Sequence, residues 1–225
     1  MCAGAPRSRP RTAYRSRSSA RGPAFADARP EIASAVGTHA TGWGVSWADL
    51  DLDGDLDLVF ANGAIPVVDL AKDAQRVQVL ENLGGRGATA RFAAASAGLQ
   101  HLARVNGRGL ATADYDNDGD LDVAVNSVGG QLQLLRNDGA RGHWLEVRLS
   151  AFAPGAVVTA TLRDGRRLVR EVHAGSSYLS SEDPRVHFGL GTASIVDKLI
   201  VRFADGTTRS LRKVAVDRVV NVDAP

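Results

Sequence analysis

Asp49-Leu-Asp51-Leu-Asp53-Gly54-Asp55-Leu56-Asp57 returns 65 residues later as Asp114-Tyr-Asp116-Asn-Asp118-Gly119-Asp120-Leu121-Asp122. From Gly42 to Asp57, ten of sixteen residues are identical to their partners between Gly107 and Asp122. Each loop packs five carboxylates into nine residues, which repel one another unless a cation neutralises them. A hard, oxygen-seeking ion suits that donor set, and Ca²⁺ accepts six to eight oxygens in a flexible shell. Carboxylates at loop positions 1, 3 and 5 converge only if the backbone turns sharply. Gly54 and Gly119 at position 6 permit such a turn, since glycine enters the left-handed region without steric cost. Position 7 (Asp55, Asp120) can offer its carbonyl, and position 9 (Asp57, Asp122) a further carboxylate. Two bound Ca²⁺ ions, one per loop, are therefore expected.

The loops are not EF-hands. An EF-hand places a bidentate Glu at position 12 between two helices, whereas position 12 here is Phe60 or Val125. Runs rich in β-branched and small apolar residues surround both loops. Gly44 to Ala48 and Gly109 to Ala113 precede them, and Leu58 to Ala61 and Val123 to Asn126 follow. These read as strands, so the repeating unit is strand, metal loop, strand.

The repeats run from about Gly37 to Gly139 and close on similar turns, Glu81-Asn82-Leu-Gly84 and Arg136-Asn137-Asp-Gly139. The first repeat carries about ten extra residues, placed between Ala64 and Arg76. Further strands are expected over 76–81, 91–94 and 131–135. A repeat of about 65 residues with three or four short strands suits one propeller blade, and two blades cannot close a ring. From His143 onward seven alternating runs follow: 143–149, 156–162, 168–173, 186–190, 198–203, 207–213 and 218–222. Asp164-Gly165 and Asp205-Gly206 read as two-residue hairpin turns between them. The expected fold class is all-β: two calcium-loop blades forming a partial propeller, then a small antiparallel sandwich. The boundaries fall at 1–36 for a basic tail, 37–140 for the repeats and 141–225 for the C-terminal domain.

Composition narrows the functional classes. The chain has 225 residues, 44% of them hydrophobic, and a mean hydropathy of -0.12. No apolar run approaches the ~18 residues of a membrane-spanning helix. Cys2 is the single cysteine, so no intrachain disulfide forms. The pI of 9.0 comes from the tail: residues 1–30 hold seven arginines and one acid, +6 of a total charge of +2. The rest sums to -4 and concentrates ten of the twenty-five acids in the two loops. No aromatic interleaving accompanies the arginines, so a nucleic-acid partner is not expected.

Two stretches carry a family resemblance. Gly42-Trp-Gly-Val-Ser-Trp-Ala-Asp-Leu-Asp-Leu-Asp-Gly-Asp-Leu-Asp-Leu resembles an FG-GAP/VCBS repeat, the calcium-loop blade of integrin-α-type propellers. Arg170-Glu-Val-His-Ala-Gly-Ser-Ser-Tyr-Leu-Ser-Ser-Glu-Asp-Pro-Arg-Val-His-Phe-Gly-Leu-Gly resembles the ASPIC/UnbV signature. Their order is that of the cartilage acidic protein family. The resemblance implies Ca²⁺ held by the side chains of Asp49, Asp51, Asp53 and Asp57 with the Asp55 carbonyl. It implies a second ion on Asp114, Asp116, Asp118 and Asp122 with the Asp120 carbonyl. It also implies an extracellular or cell-envelope location and a protein or glycan partner. Members of the family carry more repeats and a secretion signal, which makes this chain a piece of a longer protein on that reading.

Catalysis is not expected. A hydrolase would draw on Ser176, Ser177, Ser180 or Ser181 with His173 or His187 and Asp183, but Gly175-Ser-Ser lacks the second glycine of a nucleophile elbow. His143 reads as a strand-edge residue. Trp43, Trp47 and Trp144 could stack on sugars, which keeps open a carbohydrate-recognition role within a larger secreted enzyme. Trp47, alternating with Val45, reads as core.

Overall fold

The structure, a computed structural model, describes residues 40–84, 91–95 and 104–225. The basic tail, 1–36, lies outside the described residues. The described residues form fourteen strands and no helix. None of their segments is a helix long and apolar enough to cross a membrane.

Strands β1 (Gly42–Ala48), β2 (Asp57–Asn62), β3 (Gln78–Asn82) and β4 (Phe92–Ala94) make one antiparallel meander. Strands β5 (Gly107–Ala113), β6 (Asp122–Ser127) and β7 (Gln133–Leu135) make a second. Each acidic loop joins the first two strands of its sheet, as the flanking sequence implies. The ladders show the internal repeat directly: Ala48 pairs with Asp57, and Ala113 with Asp122. β1 packs along β5, and Val59, Ala61, Val79, Leu110, Val123 and Val125 fill the core shared by the two sheets. The extra residues of the first repeat brace the second, where Asn106 Nδ2 donates to Leu70 O and Arg108 Nη2 to Ala64 O.

All seven expected C-terminal strands form: β8 (His143–Leu149), β9 (Val157–Leu162), β10 (Arg167–Glu171), β11 (Val186–Gly191), β12 (Ile195–Arg202), β13 (Thr208–Ala215) and β14 (Arg218–Val222). They build two sheets, ordered β10-β9-β12-β13 and β11-β8-β14. A separate core lies here, including Leu145, Val158, Leu162, Phe188, Leu199 and Phe203. Full burial of side chains of this size stabilises by roughly 1.5–3 kcal/mol each.

Three expectations need correction. β14 runs parallel to β8, so the C-terminal part is not purely antiparallel. The two hairpins have three-residue loops, 163–165 and 204–206. In each, a turn bond (Gly165 N to Leu162 O; Gly206 N to Phe203 O) sits inside the closing pair. Gly165 and Gly206 take positive φ, at 86° and 88°, the arrangement of a type I turn followed by a left-handed residue. Trp47 is not core. It is 55% exposed, leaning on Phe92 at 6.1 Å between ring centroids. The inward face of β1 carries Gly44, Ser46 and Ala48 instead.

Candidate metal centres

Both loops turn as the sequence implies, with one feature it did not reveal. Gly54 and Gly119 hold φ of 101° and 100°. Position 4 is also left-handed, Leu52 at 64° and Asn117 at 60°, so each loop holds two left-handed residues within three positions. Asn tolerates that region, but Leu does so at a steric cost. Leu52 is 2% exposed and its carbonyl accepts the Gly191 N–H at 2.7 Å, contacts that hold the strained turn.

The turn gathers carboxylates. Asp49, Asp51 and Asp53 each offer an oxygen within 4.8 Å of the others, and so do Asp114, Asp116 and Asp118. Asp49 Oδ2 accepts the N–H groups of Gly54 (3.0 Å) and Gly189 (3.1 Å). Its Oδ1 is buried with no hydrogen-bond partner. Asp114 differs, because Oδ1 accepts the Asp118 N–H (3.1 Å) and Oδ2 the Gly119 N–H (2.9 Å). Burial pushes Asp49 up to about 7, opposed by Arg170 and reinforced by Asp53, Asp51 and Asp57. Burial also raises Asp53, Asp114 and Asp120. Buried carboxylates with an orphaned acceptor fit a hard cation, which would satisfy Asp49 Oδ1 and offset the cost of its burial.

Position 9 stands outside the two groups of three. Asp57 accepts backbone N–H groups from Leu50 (3.0 Å) and Asn82 (2.8 Å), one on each oxygen. Asp122 does the same with Tyr115 (3.2 Å) and Asn137 (2.8 Å). Burial raises both carboxyls, Asp57 to about 6, against these amide bonds. Each carboxylate thus ties the start of its loop to the end of its repeat. Asn82 and Asn137, visible in the sequence only as similar turns, complete the brace. Their side-chain amides donate to Leu56 O (3.1 Å) and Leu121 O (3.4 Å). Asn137 Nδ2 also reaches Leu50 O (2.8 Å), linking the second repeat to the first loop.

The side groups at the two loops are unequal. Arg136 Nε lies 3.1 Å from Asp116 Oδ2 and its Nη2 3.6 Å from Asp118 Oδ2, while Nη2 also pairs with Asp138 at 2.7 Å. Glu81 occupies the corresponding place in the first repeat, directly before Asn82.

Strand β11 joins the loops to the C-terminal sheets. Its even residues, Val186, Phe188 and Leu190, point into the C-terminal core. Its odd residues, with Arg185 just before, meet the acidic loops. Arg185 donates to Asp114 O (2.6 Å) and Asn117 Oδ1 (2.8 Å), and His187 Nε2 to Gly119 O (2.9 Å). Burial holds His187 down at about 4, against the pull of the Gly119 carbonyl. The ring is therefore neutral, and its buried Nδ1 is an acceptor with no partner. Further along, Gly189 reaches Asp49 and Gly191 reaches Leu52, as given above. From β10, Arg170 sits 3.8 Å from Asp49 Oδ2 and donates to Gly54 O (3.3 Å). Period-2 alternation makes β11 a core strand on one face and a clamp for both loops on the other.

A cleft of about 630 Å³ lies where these elements meet, lined by Ser46, Trp47, Thr112, Glu146, Glu182 and His187 among others. Ser46 Oγ bonds Glu182 and lies 3.1 Å from Thr112 Oγ1. Glu146, 1% exposed, is pushed up to about 7 by burial, with Arg185 (2.7 Å) and Arg148 opposing and Asp114 and Asp183 reinforcing. A carboxyl raised in the folded state favours folding below its free value of 4.5, and that stability is lost as pH rises through about 7. In saturating calcium, Glu146→Gln should therefore gain on the wild type between pH 5 and pH 8, by about 5 °C in melting temperature. Parallel melting profiles would refute it.

The serine cluster is arranged otherwise than in a triad. Ser177 Oγ accepts the Val45 N–H, Ser180 and Ser181 donate to Tyr178 O and Ala174 O, and Asp183 holds Arg185. Among the described residues no serine hydroxyl bonds His173 or His187. His143 Nδ1 lies 2.7 Å from Asp217 Oδ2 at the start of β8. Trp43 is enclosed by Tyr178 and Arg108, and Trp144 stacks where a side chain on Gly119 would stand.

Comparison with known proteins finds two likenesses. Residues 146–225 match the family model described as ASPIC and UnbV. The chain is 35% identical to Cartilage acidic protein 1 of Xenopus tropicalis over 130 residues, covering 53% of this chain and 20% of that protein. It is 36% identical over 132 residues to the Mus musculus protein of the same name, with the same shares. The Homo sapiens protein gives 40% over 94 residues, 38% of this chain and 14% of that one. The chain spans a fifth or less of the length of these curated relatives. The Xenopus and mouse alignments are longer than 146–225, so the likeness to Cartilage acidic protein 1 extends beyond the ASPIC and UnbV segment.

Proposed function

We propose that this chain is a non-catalytic, calcium-stabilised interaction module of the extracellular space or cell envelope, with a protein or glycan partner. In this reading the two N-terminal sheets are FG-GAP/VCBS-type propeller blades, completed by blades elsewhere in a longer protein. The observation that carries the metal reading is Asp49, 1% exposed, with one oxygen unpartnered inside a group of three carboxylates that the chain builds twice. Asp49, Asp51 and Asp53 would hold one Ca²⁺, and Asp114, Asp116 and Asp118 the other. The carbonyls of Asp55 and Asp120 join them, as do the lone pairs that Asp57 and Asp122 keep beside their amide bonds. Calcium supplies the positive charge that lets these loops close, so its binding energy becomes folding energy. The resemblance to Cartilage acidic protein 1 supports the location.

Calorimetric titration of the full chain tests this. Two Ca²⁺ should bind, with affinities near the 10⁻⁴–10⁻³ M range of extracellular modules. Asp53→Ala and Asp118→Ala should each leave a single ion. Mg²⁺, which demands a smaller octahedral shell, should bind far more weakly. Two unchanged sites in Asp53→Ala would remove the first loop from the assignment.

A further inference from the structure

We infer that the two loops form unequal metal sites: the first takes Ca²⁺ tightly, while Arg136 weakens the second by competing for Asp116 and Asp118. The inference rests on the calcium reading above and concerns how this chain differentiates two nearly identical loops.

Three observations carry it. In the second loop a guanidinium already lies against two of the three gathered carboxylates, at 3.1 and 3.6 Å. In the first, among the described residues, no basic side chain is ion-paired with Asp51 or Asp53, and the corresponding residue is the acid Glu81. A cation entering the second loop must displace Arg136 or bind beside its charge. Second, Asp114 has both oxygens engaged by backbone amides of its own loop, whereas Asp49 Oδ1 has no partner. An ion in the first loop therefore satisfies an acceptor that is otherwise buried and unmet, and gains more by it. Third, the remaining basic groups do not reverse the contrast. Each position 1 residue meets one arginine from the C-terminal sheets, Arg170 at Asp49 and Arg185 at the Asp114 carbonyl. The first loop also meets Arg166, whose Nη1 donates to Asp53 O (3.2 Å) while Asp164 holds its Nε (2.8 Å). Each loop thus has two guanidiniums beside it, and Arg136 differs in lying against the position 3 and 5 carboxylate oxygens themselves. Asp138 holds it at 2.7 Å, where the first repeat has Leu83.

The test is calorimetric titration of the full chain with CaCl₂ at fixed ionic strength, on the wild type, Arg136→Ala and Glu81→Arg. The wild type should show two sites differing at least tenfold in affinity, with Asp53→Ala removing the tighter and Asp118→Ala the weaker. Arg136→Ala should tighten the weaker site about tenfold and leave the other unchanged, the effect of one unit charge removed from contact distance. Glu81→Arg should weaken the tighter site by a similar factor, which keeps the test available if Arg136→Ala folds poorly. Two sites of equal affinity, or an Arg136→Ala isotherm that overlays the wild type, would overturn the inequality and leave calcium binding standing. Absence of any binding heat or melting shift would overturn the calcium reading itself.

Discussion

Chelating divalent cations should lower the melting temperature of the full chain by about 15 °C, and excess Ca²⁺ should restore it. An ion present at a hundred times its dissociation constant stabilises the folded state by about 2.7 kcal/mol, so two sites give about 5 kcal/mol. For a chain of this size each kcal/mol moves the transition by roughly 3 °C. The effect has a structural route beyond mass action. Without a cation, the buried Asp49 oxygen has no partner and the gathered carboxylates repel one another. The strained left-handed turn at Leu52 also loses a reason to persist. Mg²⁺ should restore only a small part of the loss. Melting curves that coincide with and without chelator would end the case for structural calcium.

Much of the fold is written in the sequence because it is local. Alternation in Val157–Leu162 fixes Val158, Ala160 and Leu162 as one face of β9, and those are the residues buried there. The loop spacing likewise predicts the positive φ of Gly54 and Gly119. What alternation does not tell is which face turns inward. On β1 the more apolar pair, Val45 and Trp47, faces outward, and Gly44, Ser46 and Ala48 face in. The reason is the neighbour. β5 lies so close that a methyl on Gly44 would stand 2.8 Å from the Leu110 backbone nitrogen, so only small residues fit between the sheets. Hydrophobicity gave way to the narrow gap.

The candidate site was half legible for a related reason. Five carboxylates per loop announce themselves, but the partners that sort them lie far off in the chain. Asp49 meets Gly189 across 140 positions, and the Asp114 carbonyl meets Arg185 across 71. Position 9 reads in the sequence as one more ligand, and folding adds a second role, since Asn82 and Asn137 donate to it from 25 and 15 residues away. Arg136 and Glu81 are visible in the sequence as the same place in two turns. Only folding shows that Arg136 returns to Asp116 and Asp118.

Gly189→Val should separate the loops from the C-terminal sheets. Gly189 has no positive φ, so the cost of a side chain comes from collision rather than backbone strain. A Cβ there would strike the Asp49 carboxylate and stand 2.5 Å from Leu52 Cα, both fixed parts of the first loop. Neither can yield by rotating a flexible tail, so the loop must retreat from β11. It would then give up the Gly189 bond to Asp49 and the Gly191 bond to Leu52. Overpacking of this kind costs about 1–3 kcal/mol, and the lost bonds add to it, for a fall of about 10 °C in saturating Ca²⁺. The even face of β11 keeps Val186, Phe188 and Leu190 in their core, so the C-terminal strands should stay folded and the loss should concentrate at the first loop. Calcium affinity there should drop at least about tenfold, since Asp49 loses the amide that orients it. The second loop, held by Arg185 and His187 at the other end of the strand, should keep its ion. That split separates clamping from general destabilisation, which would weaken both sites together. A variant that melts with the wild type and binds both ions unchanged would show that β11 does not clamp the loop.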